Sequence, residues 1–234
     1  MDRLSDTGDV YSERQSSLVD GVLWSSVSDG AVSRILPDGC SDLMWLDGEL
    51  VVAGPDSRAY LYESRPGALT AGIRFPPGLG PAVFGVPAHE LRNQRIPLAA
   101  LWSDAEVRRL TDEVGTASNL TTALETIAAR QVRAAETVEP VVSVVVSLLA
   151  AGSSVSATAD AVGFSERQLL RRCLDAFGYG PKTLGRILRM NRALGLARSG
   201  TALAEVASLT GYADQAHLTR DVKDLAGVPI GQLG

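Results

Sequence analysis

The chain has 234 residues, 45% hydrophobic and 21% charged, with a formal net charge of −5. That composition reads as an ordinary soluble globular protein, and the length suits one large domain or two modest ones. Two cysteines, Cys40 and Cys173, are too few for a disulfide framework and point to a reducing cytoplasm.

The first residues, MDRLSDTGDVYSERQSS, are polar and lack the apolar core of a signal peptide. Residues 1–30 carry few periodic signals beyond the short cluster Val22-Leu23-Trp24, and a loosely ordered start is expected. From Val32 to Val86 the texture is β. The runs VSRIL, DLMWL, ELVVAG, RAYLYES, LTAGIRF and PAVFGV are separated by Pro, Gly and Asp turn formers, as in an antiparallel sheet or small barrel. Asp47-Gly48 between two apolar runs reads as a two-residue hairpin turn.

After Pro97 the texture turns helical. Ser103 with Glu106 three residues on is a capping box, Asn119 opens a second helix, and Pro140 sits in the first turn of a third that Gly152 ends. The apolar run Val141–Ala151 is far shorter than the roughly 20 residues needed to span a bilayer, so no membrane partner is expected. The helices of 101–151 could join two domains, and their apolar stripes could serve a dimer.

Beyond Ser153 a repeat emerges. Ala159, Gly163 and Phe164 recur as Ala207, Gly211 and Tyr212, and Leu169, Arg171 and Gly178 recur as Leu218, Arg220 and Gly227, with one residue inserted at the start of the second helix of the second copy. Each copy reads as a short helix, a glycine able to take the left-handed conformation, a core aromatic, and a second helix opening at Ser165 or Ala213. Ser165 and Gln168 form a capping box. Leu169, Cys173 and Phe177, then Leu218, Val222 and Leu225, give each second helix an apolar side opposite a polar one suited to a major groove. Residues 181–200 form an amphipathic helix of roughly 18 residues, some 27 Å long. That length can hold two recognition helices about one DNA turn, ~34 Å, apart. Residues 152–234 hold ten Lys and Arg against seven Asp and Glu, a net +3, whereas 1–151 hold twelve against twenty, a net −8. This opposite sign suits a chain of which one part touches a polyanion.

The motifs GFSERQLLRR (163–172), RILRMNRALGLARSG (186–200) and LAEVASLTGYADQAHLTRDVKDLAGVP (203–229) resemble the DNA-binding domain of AraC-type regulators. The segment 35–78 also resembles an N-terminal sensor or oligomerisation domain of one subgroup. The resemblance implies an α+β chain: a β-rich sensor or dimerisation domain at 1–100, a helical linker or dimerisation helices at 101–151, and an all-α domain at 152–234 with two helix-turn-helix units joined by a long helix. It implies that Arg167, Leu170 and Arg171 of the first unit, and Gln215, Ala216, His217 and Arg220 of the second, face double-stranded DNA. Arg can be bidentate to guanine and Gln to adenine, which makes Arg167 and Gln215 the base readers; Arg171 and Arg220 suit phosphate or bracing roles. A small-molecule effector, contact with RNA polymerase and a homodimer are further expectations. The sequence departs from the family where the usual core Phe of each recognition helix is Cys173 or Val222, and where Ile230 stands for the closing Pro.

No cofactor, metal site or catalytic residue is expected. The chain has no CxxC, HxH, GxSxG, HExxH or phosphate-loop pattern, and its only histidines are His89 and His217. Asp38 and Asp42 beside Cys40 disfavour a reactive thiolate, so a buried structural thiol is expected there. Trp24, Trp45 and Trp102 read as core residues ahead of pocket residues. An enzyme with a helical appendage would need a catalytic cluster within 32–96. The alternative to DNA binding is a protein-binding adaptor that kept the helix-turn-helix fold, and the small +3 surplus leaves room for it.

Overall fold

The computed structural model describes residues 10–135 and 139–233. Its strands are β1 (Val10–Gln15), β2 (Val22–Val27), β3 (Ser33–Ile35), β4 (Ser41–Leu46), β5 (Glu49–Ala53), β6 (Tyr60–Tyr62), β7 (Leu69–Phe75) and β8 (Arg95–Pro97). Six of them form one antiparallel sheet in the order β1-β2-β7-β4-β5-β8, and β3 pairs with β6 separately. The expected loose start is therefore corrected. Residues 1–9 lie outside the described residues, but β1 and β2 complete one edge of the sheet. The Asp47-Gly48 turn is as read: φ is +48° and +88° at the two positions, the pair of positive values that a two-residue turn between twisted strands requires.

Period-two alternation sends two sets of side chains to opposite faces. Leu23, Leu43, Leu50, Val52, Ile73 and Phe75 point into one core, whereas Trp24, Met44, Val51 and Ala53 point the other way. Two short helices follow β7: α1 (Gly80–Phe84) and α2 (Ala88–Leu91). PAVFGV, read as a strand, is thus largely helical. Pro81 in the first turn and Gly85 at φ +77° are the start and stop that its apolar texture masked.

Helix α4 (Leu120–Ala134) is capped as read, by Asn119 accepting from the Thr122 amide, and α3 (Asp104–Gly115) by Ser103 accepting from the Glu106 amide; the expected reciprocal half of a capping box is not formed there, because the Glu106 carboxylate accepts from Gln131 of α4 instead. Their buried residues Leu110, Val114, Leu124 and Ile127 close the core of the sheet's first face. Helix α5 (Pro140–Ala150) instead places Val145 and Leu149 in a second core made by α6 (Val155–Ala161), α7 (Glu166–Phe177), α8 (Pro181–Arg198), α9 (Leu203–Thr210) and α10 (Gln215–Ala226). The helices of 101–151 therefore divide between two cores, and the buried stripe of each is used within the chain.

One buried carboxylate fastens the β1–β2 connection to α4. Glu125 accepts from Arg14 Nη2 at 3.0 Å, the Ser16 hydroxyl at 2.8 Å and the Ser17 amide at 2.7 Å. Burial alone would push its pKa up; the hydrogen bonds from Arg14, Ser16 and Ser17 outweigh that and bring it down to about 2. A depressed carboxylate pKa gives stability that is present above the unfolded value near 4.3 and lost as pH falls toward 2. Glu125→Gln should therefore lower stability by about 2 kcal/mol at pH 7. Thermal melts should show the gap between wild type and variant closing between about pH 4.5 and pH 2.

Candidate nucleic-acid interface

The second helix of each unit is built by the same local chemistry. Ser165 caps α7: its hydroxyl accepts from the Gln168 amide at 3.3 Å while Gln168 Oε1 accepts from the Ser165 amide at 2.8 Å. In the second unit the cap is Asp214, not Ala213. Its carboxylate accepts from the His217 amide at 2.6 Å, so the extra residue of the second copy supplies the cap. Both helices end on a left-handed glycine, Gly178 at φ +79° and Gly227 at φ +77°. Leu169, Cys173 and Phe177, and Leu218, Val222 and Leu225, are all buried as expected.

Helix α8 carries both units. Leu184, Ile187, Met190, Ala193 and Leu194 are buried along it. Its polar side chains act as struts: Arg186 and Arg189 both donate to Asp221 of α10, at 2.8 Å and 3.1 Å, and Arg186 also donates to Asp224 at 2.6 Å. The Arg189 guanidinium lies 4.2 Å from the Tyr212 ring centroid.

Six of the seven residues expected to face DNA are exposed: Arg167, Leu170, Arg171, Gln215, Ala216 and Arg220. They lie on the amino-terminal two-thirds of α7 and α10. None of the three arginines has a carboxylate partner among the described residues, whereas the neighbouring Arg172 pairs with Glu139 and covers the Phe164 ring. His217 stands apart. It is half-buried, its Nδ1 accepts from the Ala213 amide at 3.3 Å, and its ring meets Tyr212 edge-on at 5.2 Å. At the third helical position it does the local work that Gln168 does in α7.

The β-rich half touches the opposite end of each of these helices. Ala59 N–H donates to Leu225 O at 2.7 Å, Arg34 Nη1 donates to Ala226 O at 2.8 Å, and Arg92 Nη1 donates to Gly178 O at 3.4 Å. Cations at helix carboxyl ends complement the helix dipole. No periodic signal in the sequence marks these residues.

A cavity of about 210 Å³ lies between the second face of the sheet, the β3–β6 pair and α8. Trp24, Met44, Tyr60 and Tyr62 give it apolar walls, and Asn191, Leu194 and Arg198 of α8 close one side. Trp24 packs over Gly72, where any side chain would collide with the indole, and donates to Asp42 at 2.7 Å. Arg74 is buried on the same face, 3.6 Å from Asp42 and 3.7 Å from Asp38. Burial alone would lower its pKa, but these carboxylates hold it above the usual value. Of the three tryptophans only Trp24 lines the cavity; Trp45 and Trp102 pack against the other core. Cys40 is half-buried, with its amide donating to Asp38 at 2.9 Å, which corrects the expectation of a buried thiol.

Residues 158–233 match a helix-turn-helix domain family, and residues 16–97 match a domain of unknown function (DUF6597). No curated protein matches the chain. Among solved structures, ToxT from Vibrio cholerae O395 is similar at 9% identity and TM-score 0.48, covering 95% of this chain and 98% of that one. Wild-type ToxT from strain SCE256 with a bound unsaturated fatty acid is similar at 8% identity and TM-score 0.46, covering 97% of this chain and 95% of that one. A likeness this distant assigns neither ligand nor residue roles here.

Asp221 is buried and holds two arginines of α8. Asp221→Ala would leave both without their shared acceptor and loosen α10 from α8. Chemical denaturation should show a loss of about 2–3 kcal/mol, against less than ~0.5 kcal/mol for the exposed Lys223→Ala.

Proposed function

We propose that this chain, which carries an AraC-type double helix-turn-helix domain behind a β-rich domain, is a DNA-binding transcription regulator that reads two successive major grooves with α7 and α10. The observation that carries the reading is the exposure of Arg167, Leu170, Arg171, Gln215, Ala216 and Arg220 with the β-rich half in place. Arg167 and Gln215 read bases, as bidentate donors to guanine and to adenine; Arg171 and Arg220 contact phosphate. His217 supports the start of α10 and offers Nε2 at most. The proposal includes a homodimer and RNA polymerase as protein partners, and a site in the cytoplasm. No described helix is long and apolar enough to cross a membrane.

Ligand control belongs to the same reading, with the cavity as effector site. Its lining joins the sheet to α8, so an occupant would touch both halves of the chain at once. A preformed apolar pocket with a few polar groups is what small-molecule binding needs.

Fragments of the source genome selected by the purified protein in moderate salt should share one motif. Arg167→Ala and Gln215→Ala should each weaken binding to it by about 5–150-fold, the ~1–3 kcal/mol of one bidentate base contact. Arg171→Ala and Arg220→Ala should each lower the salt slope by about one counterion, with little change in sequence preference. Absence of any enriched motif, even at low salt, would favour the protein-binding adaptor. The cavity is tested with the dye 1-anilinonaphthalene-8-sulfonate. Its fluorescence should rise on binding, and most of the rise should be lost in Ser26→Trp, which fills the cavity. If cavity and DNA site are coupled, the dye's affinity must change when the selected duplex is added, by the same factor as DNA affinity changes with dye. An unchanged affinity would remove the effector role.

A further inference from the structure

We infer that residues 54–59, with Arg34 and Arg92, form a rigid bracket by which the β-rich half fixes the separation of α7 and α10. The inference rests on the DNA-reading proposal for its consequence, and on the geometry alone for its existence.

The bracket meets the carboxyl ends of both helices. At α7, Gly178 packs so tightly that a Cβ there would fall 2.9 Å from Pro55 Cγ and 3.0 Å from Ala88 O. Arg92 donates to Gly178 O, and His89 faces Asp175 at 3.4 Å. At α10, the Ala59 amide donates to Leu225 O, and Arg34 donates to Ala226 O. Pro55 and Ala59 are four residues apart in one loop, so a single short segment spans from one helix end to the other.

The segment is braced along its length. Gly54 N–H donates to Gln94 O at 3.0 Å, and Asn93 N–H donates to Pro55 O at 3.2 Å. The Asn93 carboxamide oxygen accepts from the Ser57 amide at 2.7 Å. Asp56 accepts both terminal nitrogens of Arg95, at 2.8 Å and 2.6 Å, and is itself buried. Arg95 in turn lies 4.1 Å from the Tyr60 ring centroid. A loop held this way transmits position instead of absorbing it.

The contacts leave the amino-terminal parts of α7 and α10 uncovered. The β-rich half therefore acts on DNA reading through the distance between two helices, without blocking either. Arg34 also lines the cavity, so the bracket and the proposed effector site share a side chain.

The test uses the full chain with Cys40→Ser and nitroxide labels at Glu166→Cys and Lys223→Cys, both exposed positions. Pulsed electron–electron resonance of the free protein should give one narrow distance distribution. Arg34→Met with Arg92→Met should broaden it. Asn93→Gly, which keeps the positive φ of +58° but removes the carboxamide brace, should broaden it too. Circular dichroism and thermal melts confirm that each variant is folded. On duplexes carrying the selected half-sites, wild type should lose affinity when about half a helical turn is inserted between them, and both variants should lose most of that discrimination. Distributions as narrow as wild type in both variants would overturn the bracket. Broadened distributions with spacing discrimination intact would overturn its role in reading DNA. If wild type selects no DNA, the distance measurement still decides the bracket, and the DNA reading alone falls.

Discussion

The burial of α8 is the constraint on which the arrangement of both helix-turn-helix units depends. A single helix must present apolar surface to α5, α7, α9 and α10 and close the cavity beside the sheet. Leu184, Ile187, Met190, Ala193 and Leu194 meet this demand, and burying each of the larger ones contributes about 1.5–3 kcal/mol. With so much of its circumference covered, α8 cannot keep a broad charged face. Its arginines instead reach to its neighbours, Arg186 and Arg189 to Asp221 and Arg198 to Leu233 O. Asn191 donates to Pro37 O at 3.1 Å and ties the helix to the β-rich half.

The paired units were legible in the sequence because their determinants are local. A cap, a left-handed glycine and a period of three to four residues act within a few turns, and the repeat doubles each signal. The Asp47-Gly48 turn is legible for the same reason. Elements that depend on distant partners were not. β1 and β2 carry little apolar contrast of their own; β1 is an edge strand with alternating half-exposure, and it is held by β2 and by Glu125 more than a hundred residues away. α1 was hidden by β-branched and aromatic residues that suit a strand, although Pro81 and Gly85 bracket it.

At the candidate site, six of the residues singled out in the sequence are exposed and the seventh, His217, is half-buried. His217 sits one helical turn from Ala213 in the register of a capping residue, and the inserted Asp214 makes that register available. The interface between the two halves had no signature at all. Arg34 lies in the short strand β3 and Arg92 at the end of α2, and an arginine's partner is fixed by the fold rather than by its neighbours in sequence. The cavity was foreshadowed only by Trp24, whose indole nitrogen needs an acceptor when buried and finds Asp42.

The exposure of the residues proposed to read DNA limits how the β-rich half can act. In many two-part proteins control works by covering a site, and the covered surface must open before it binds. Here the residues proposed to face DNA are solvent-accessible while the halves remain in contact through Ala59, Arg34 and Arg92. On the proposed reading, an effector could change DNA affinity only by stabilising one separation of α7 and α10 over another, and by no more than its own difference in affinity for the two states. A shift of about 1 Å at the end of a helix suffices to misplace a bidentate base contact, whose hydrogen bonds span only ~2.7–3.2 Å. The contacts that hold the helix ends are few and largely between arginines and main-chain carbonyls. Such contacts are strong enough to select one geometry and weak enough for a small molecule to reset.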